Sequence, residues 1–191
     1  MKIGLFFGTF NPVHCGHIKI AHNVLEQKHV DKVWIILTPL SPFKKTQKII
    51  DFHHRLTMLE KAFQGIQNIV ISDVETRLQT PNYTINTLSY LRGLYPKNEF
   101  TIILGSDNFQ TIHLWKDYDL ILKNHHIFIY PRKDFNIDDL NSHISTQNVT
   151  TLVMEKIPVS SSLIREYINN KEIKLYLNQA VYKYIINHKL Y

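Results

Sequence analysis

Two histidines three residues apart, His14 and His17, enclose a glycine in the stretch Gly8-Thr9-Phe10-Asn11-Pro12-Val13-His14-Cys15-Gly16-His17. Imidazoles at that spacing can donate to one shared anion. Gly8 and Gly16 let the backbone approach a ligand closely. The apolar run from Ile3 to Phe7 precedes this stretch and reads as a buried strand. Ile18-Lys19-Ile20-Ala21-His22 follows it and reads as the start of a helix. The histidines therefore fall where a first strand hands over to a first helix. In an open parallel sheet that is where ligands bind, and a helix N-terminus there offers N–H groups and positive dipole to a phosphate. A second stretch, Val159-Ser160-Ser161-Ser162-Leu163-Ile164-Arg165, has an apolar anchor, then hydroxyls that open a helix, then a guanidinium one turn in. Its chemistry is again that of holding phosphate, because the planar fork of Arg165 can reach two oxygens at once.

The elements that must position these residues follow from the hydrophobic pattern. Short apolar runs at Ile3–Phe7, Lys32–Leu37, Ile69–Ser72, Phe100–Leu104, Ile127–Tyr130 and Thr150–Met154 read as strands. Several are apolar on both faces, as in a parallel sheet covered on both sides. Helical spacing separates them. Asp51 caps a run with Phe52, Leu56, Leu59 and Phe63. Ile85, Leu88, Leu91 and Leu94 mark a second helix, and Leu163, Ile164, Tyr167 and Ile168 a third behind the Ser160–Ser162 cap. A last helix runs from about Asn178 to Asn187, with Val181, Tyr184 and Ile185 facing inward. This alternation predicts an α/β chain: an open, mostly parallel Rossmann-like sheet with helices on both faces, plus a small C-terminal helical portion. The segments Thr38–Ile50 and Arg132–Asn148 read as mobile loops, the second polar and exposed.

Composition bounds the answer. The 191 residues suit one domain spanning residues 1–191, with 44% apolar residues and no composition break or repeat. The net charge of +6 comes from 22 Lys and Arg against 16 Asp and Glu. That excess fits nucleic acid or a small polyphosphate equally well. The basic residues are scattered, with Lys44-Lys45 the one cluster near a possible site. Cys15 stands alone, so no intrachain disulfide is possible, and it reads as a spacer within the histidine stretch. One cysteine with His at i and i+3 lacks a complete zinc ligand set, and no protein metal site is expected. No apolar run approaches bilayer length and no signal peptide is evident, which points to the cytoplasm.

The first stretch resembles the HxGH motif of the nucleotidylyltransferase superfamily, and Val159–Arg165 resembles its second motif, ISSTxxR. Between them, Thr80-Pro81-Asn82-Tyr83-Thr84-Ile85-Asn86-Thr87-Leu88 resembles the SYTxDTL segment of the nicotinate-mononucleotide adenylyltransferases. Gly105-Ser106-Asp107-Asn108 with Trp115 resembles their G[AS]D…W segment. Pro39–Lys45, His54-Arg55-Leu56 with Met58-Leu59, and the ending Tyr182 to Tyr191 are similar to further family segments. Together the resemblances cover almost the whole chain in order. Departures are Phe7 where a glycine is common, Asn11 where Asp is frequent, and a Lys44-Lys45 loop without the usual His.

The resemblance implies adenylyl transfer from ATP to nicotinate mononucleotide, with pyrophosphate released and Mg²⁺ accompanying ATP. It implies His14, His17 and Arg165 as catalytic residues, His17 nearest the α-phosphate. It assigns ATP to Gly8, Thr9, Phe10, Gly16, Lys44, Lys45, Gly105, Asp107, Ser160, Ser161 and Ser162. It assigns the pyridine nucleotide to Tyr83, Thr84, Thr87 and Trp115, with Trp115 stacking on the ring. Nucleic acid and membrane are not expected as partners, and the sequence leaves oligomeric state open. The two outer motifs alone also admit adenylyl or cytidylyl transfer to phosphopantetheine or an alcohol phosphate. A nucleotide-binding protein that kept the fold and lost the chemistry is a further alternative, and the intact His14, His17 and Arg165 argue against it.

Overall fold

Parallel strands need crossover connections, and the helices that supply them must lie on the faces of the sheet. The chain follows that rule from its first residues. Its computed structural model describes residues 1–44, 48–132, 144, 146–155 and 157–191, with only the backbone of residues 44 and 171. The strands are β1 (Lys2–Gly8), β2 (Lys32–Leu37), β3 (Ile69–Ser72), β4 (Glu99–Gly105), β5 (Ile127–Tyr130) and β6 (Val149–Thr151). They form one sheet in the order β3-β2-β1-β4-β5-β6, every neighbouring pair parallel. The order reverses direction between β1 and β4, which is the switch point where such sheets bind ligands.

The helices are α1 (Cys15–Glu26), α2 (Phe52–Phe63), α3 (Thr84–Leu94), α4 (Ser106–Gln110), α5 (Tyr118–Asn124), α6 (Ser161–Glu166) and α7 (Gln179–Asn187). Strand alternation divides the core between the two faces. Phe6, Val33, Ile35 and Leu37 point to one side with residues of α1, α2, α6 and α7. Ile3, Leu5, Ile36 and Ile102 point to the other with residues of α3 and α5. The Rossmann-like architecture expected from the sequence is therefore present, with α6 and α7 as the C-terminal helical portion. Side-chain caps fix helix starts where the sequence placed them: Asp51 accepts from His53 N–H at 2.8 Å, Ser160 from Leu163 N–H at 3.1 Å, and Asn178 from Ala180 N–H at 2.8 Å.

Three expectations need correction. The last strand ends at Thr151 rather than Met154, because β5 stops at Tyr130 and leaves nothing to pair beyond Leu152. Val153 accordingly lies 83% exposed. The first helix begins at Cys15, ahead of Ile18, so both histidines join its first turn. Ile144, in a segment expected to be exposed, is buried against the α3–α5 side of the sheet.

Candidate active site

Residues 8–17 leave the end of β1 and enter α1 through a bend that brings aromatic rings onto the backbone. Phe10 has a left-handed φ of 44°, an uncommon conformation for a bulky residue. Its ring lies over Gly8, where any Cβ would come within 2.9 Å of it. The same ring meets His17 edge-on, with centroids 4.9 Å apart. His14 is the N-cap of α1 and is only 3% exposed. Its backbone N–H donates to His17 Nδ1 at 3.2 Å. A neutral His17 therefore carries its proton on Nε2, a donor. The two imidazoles stack with centroids 3.7 Å apart. Gly16 makes room for this, since a Cβ there would lie 2.9 Å from the His14 ring and from Ile157.

His14 Nδ1 is buried without a hydrogen-bond partner. Burial, aided by the nearby Arg132 guanidinium, lowers the His14 pKa to about 3. The ring is neutral at physiological pH and has one N–H to give. Cys15, half-buried behind it, has its thiol pushed up by burial. It fits the spacer role.

The second motif is tied to the first. Arg165 Nη1 donates to Asn11 O at 2.7 Å and Nη2 to Ser162 Oγ at 3.1 Å. Ser161 Oγ donates to Pro12 O at 2.8 Å. All three serine hydroxyls are thus engaged with protein: Ser160 as the cap, Ser161 on the loop, Ser162 on Arg165. Tyr191 adds its phenol to Asn11 Oδ1 at 2.8 Å. Distant ends of the chain meet on the Asn11–Pro12 turn.

At the end of β4, Gly105 lies against Asp107 and the Tyr130 ring, so tightly that a Cβ would meet the Tyr130 oxygen at 2.9 Å. Asp107, in the first turn of α4, pairs with Arg132 at 3.4 Å. Arg132 also lies over the Tyr130 ring, 5.6 Å from its centroid. With His14, Gly16 and His17 it borders a small cleft.

A larger cavity of about 350 Å³ opens beside it at the C-terminal ends of β1 and β2. Gly8, Thr9, Tyr83, Thr84 and Trp115 line it, as do Phe43, Glu75, Asn82 and Lys116. The segment 8–17 therefore borders both concavities. Tyr83 is the N-cap of α3, which begins at Thr84. Thr87, by contrast, lies fully buried behind the wall, its hydroxyl donating to Glu75 Oε1 at 2.7 Å. Lys45 lies outside the described residues, and of Lys44 only the backbone is described, in a short 3-10 turn.

The cytidylyltransferase-like family profile matches residues 5–167. A "Probable nicotinate-nucleotide adenylyltransferase" of Flavobacterium psychrophilum is 41% identical over 192 residues, covering 100% of this chain and 99% of the relative. That of Christiangramia forsetii is 38% identical, covering 100% and 98%. The chain belongs to the nicotinate-nucleotide adenylyltransferase family. In structure it is similar to the Plasmodium falciparum nicotinic acid mononucleotide adenylyltransferase complexed with NaAD, with a TM-score of 0.84. The two are 20% identical, and the match covers 99% of this chain and 96% of that one. At that identity the likeness concerns the fold.

Within this adenylyltransferase fold, sequence reasoning did not single out four charged residues as site components. Arg55, 2% exposed, donates from Nη1 to Thr9 O (2.9 Å) and Thr38 O (2.8 Å). Its Nη2 reaches Pro39 O at 3.2 Å and its Nε reaches Ile50 O at 3.1 Å. It clamps the loops after β1 and β2 from behind. Arg132, Glu75 and Lys116 complete the group. Their signals were positional: Arg132 follows a buried strand after a proline, and Lys116 follows Trp115. Neither distinguishes a site residue from an ordinary surface charge. Among the described residues no cluster of three or more His, Cys, Asp or Glu is arranged to hold a metal.

Proposed function

We propose that the chain, acting as one domain, transfers the adenylyl group of ATP to nicotinate mononucleotide. The products are pyrophosphate and deamido-NAD, in NAD biosynthesis. The observation that carries the reading is the continuous wall from Gly8 to His17. It joins a cavity walled by Trp115, Tyr83 and Thr84 to a cleft built of His14, His17 and Arg132. Two substrates can thus lie on either side of one backbone segment, with their reacting phosphates meeting near His17.

The nucleophile is the mononucleotide phosphate, already largely ionised because its second pKa is about 6. No strong general base is required. Catalysis then consists of aligning two anions and stabilising charge on the transferred group and the leaving pyrophosphate. His17 donates from Nε2 to the α-phosphate, and neutral His14 assists. Arg165 turns toward the β- and γ-phosphates beside the start of α6. Ser160, Ser161 and Ser162 hold that helix start and Arg165 in place, and Lys44 and Lys45 close from the loop. Gly8, Thr9, Phe10, Gly16, Gly105 and Asp107 shape the ATP side. Trp115 stacks on the pyridine ring, the N–H groups of Tyr83 and Thr84 meet its carboxylate, and Thr87 supports that turn through Glu75.

Mg²⁺ arrives with ATP as part of the substrate. The donors present suit this, since Asp107, paired with Arg132, is no substitute for a protein cage. Divalent charge on the phosphates supplements Arg165. No described helix is long and apolar enough to cross a membrane. Dependence on ATP supports a cytoplasmic location, and the reading needs neither nucleic acid nor membrane as partner. A pyrophosphate-release assay with ATP and a panel of acceptors tests it. Release with nicotinate mononucleotide well above that with phosphopantetheine or buffer is expected. Release with phosphopantetheine alone would overturn it.

A further inference from the structure

The aromatic cavity has an electrostatic composition that backbone donors alone do not explain. Its lining holds two formally charged side chains, Glu75 and Lys116. Glu75 is 1% exposed, and its Oε1 accepts from Thr87 while its Oε2 is buried without a partner. No cation among the described residues lies within ion-pair distance of it. Burial pushes the Glu75 carboxyl up, with hydrogen bonding from Thr87 and Thr38 opposing the shift. An ionised carboxylate with an orphaned oxygen inside the wall would carry a large desolvation cost. Among the described residues, Lys116 is the one cationic side chain in the lining.

Lys116 is exposed at the cavity rim, directly after Trp115, with Nζ 5.3 Å from the centroid of the Tyr83 ring. No carboxylate lies within ion-pair distance of it among the described residues. The Tyr83 ring therefore holds the ammonium beside the residue that caps α3, whose first residue is Thr84. Trp115, Tyr83, Thr84 and Lys116 line one cavity, so a ring stacked on Trp115 with its substituent directed at that helix start would share that wall with the ammonium.

We infer that Lys116 is a specificity-determining residue, the cation by which this cavity selects a pyridine ring bearing a carboxylate over one bearing an amide. The inference rests on the adenylyl-transfer reading and adds to it a side-chain charge beside the backbone donors. Backbone N–H groups donate to an amide oxygen as well as to a carboxylate, only more weakly. An ammonium adds attraction that depends on charge and is screened by salt.

The test compares kcat/KM for nicotinate and nicotinamide mononucleotides at saturating ATP, at low and high salt. The proteins are wild type, Lys116→Met, Lys116→Arg and Lys97→Met, the last removing a surface charge away from the cavity. The acid-to-amide ratio should fall about fivefold in Lys116→Met, the size of one partly exposed ion pair. Lys116→Arg and Lys97→Met should keep the ratio. Added salt should lower it in wild type and leave it flat in Lys116→Met. An unchanged ratio in Lys116→Met, or a salt-independent ratio in active wild type, would overturn the inference and leave adenylyl transfer standing. A wild type inactive with both mononucleotides would overturn the underlying reading, and this inference with it.

Discussion

His17 is a donor because its other ring nitrogen is occupied by the N–H of His14. That local bond makes a definite claim on catalysis. His17→Ala should lower kcat by about 10²–10³, the usual loss when one donor to developing charge is removed. Its circular dichroism and unfolding midpoint should stay close to wild type. Near-normal turnover in a folded variant would remove His17 from the reaction. His14 makes a different claim, on stability. Its folded pKa of about 3 lies below the ordinary 6.5, so the unfolded chain takes up the proton first as pH falls. His14 therefore costs nothing above about pH 6.5 and destabilises progressively from there toward pH 3, by up to about 1.4 kcal/mol per pH unit. Burial also depresses His125 and His126, so the contrast with His14→Gln isolates the effect. Urea unfolding from pH 7 to 4.5 should show wild type losing stability relative to the Gln variant. Parallel curves would contradict the buried neutral imidazole.

At the scale of elements, the loops after β1 and β2 are held by one side chain of α2. Arg55 gives its donors to carbonyls of Thr9, Thr38, Pro39 and Ile50, with no carboxylate in ion-pair distance among the described residues. Arg55→Met keeps much of the apolar stem and strands those carbonyls. It should cost roughly 3 kcal/mol or more, since buried acceptors left unmade cost about 1–3 kcal/mol each. A denaturant midpoint within error of wild type would show the clamp to be dispensable. The sequence exposed the elements better than such ties between them. β2, β3 and β5 were legible to the residue because alternation and apolar runs depend on local burial. β6 was not, because its end depends on where β5 stops. Helices α4 and α5, at 5 and 7 residues, carry too few turns for a periodic pattern. Motif residues such as His14, Gly16 and Arg165 were legible from type and spacing. Arg55, Glu75 and Lys116 were not, because their roles come from what the fold sets against them.

The whole molecule places residues from both ends of the chain around one turn. Arg165 and Tyr191 reach Asn11 on one side of it, and the Gly8–Thr9 backbone lines the cavity of Trp115 on the other. That topology follows from a parallel sheet whose order reverses beside β1. The net charge of +6 acquires a local meaning there: Arg132 borders one concavity and Lys116 the other, while Arg55 and Arg165 hold the backbone at Thr9 and Asn11, with Asp107 and buried Glu75 as the acids nearby. Such a site suits two phosphorylated substrates held face to face. The direct test is to supply ATP labelled at the α-phosphorus together with nicotinate mononucleotide and to identify both products by mass. The account predicts a labelled dinucleotide and unlabelled pyrophosphate in equal amounts, with none of either when the mononucleotide is omitted. Pyrophosphate formed together with labelled AMP and no dinucleotide would contradict it.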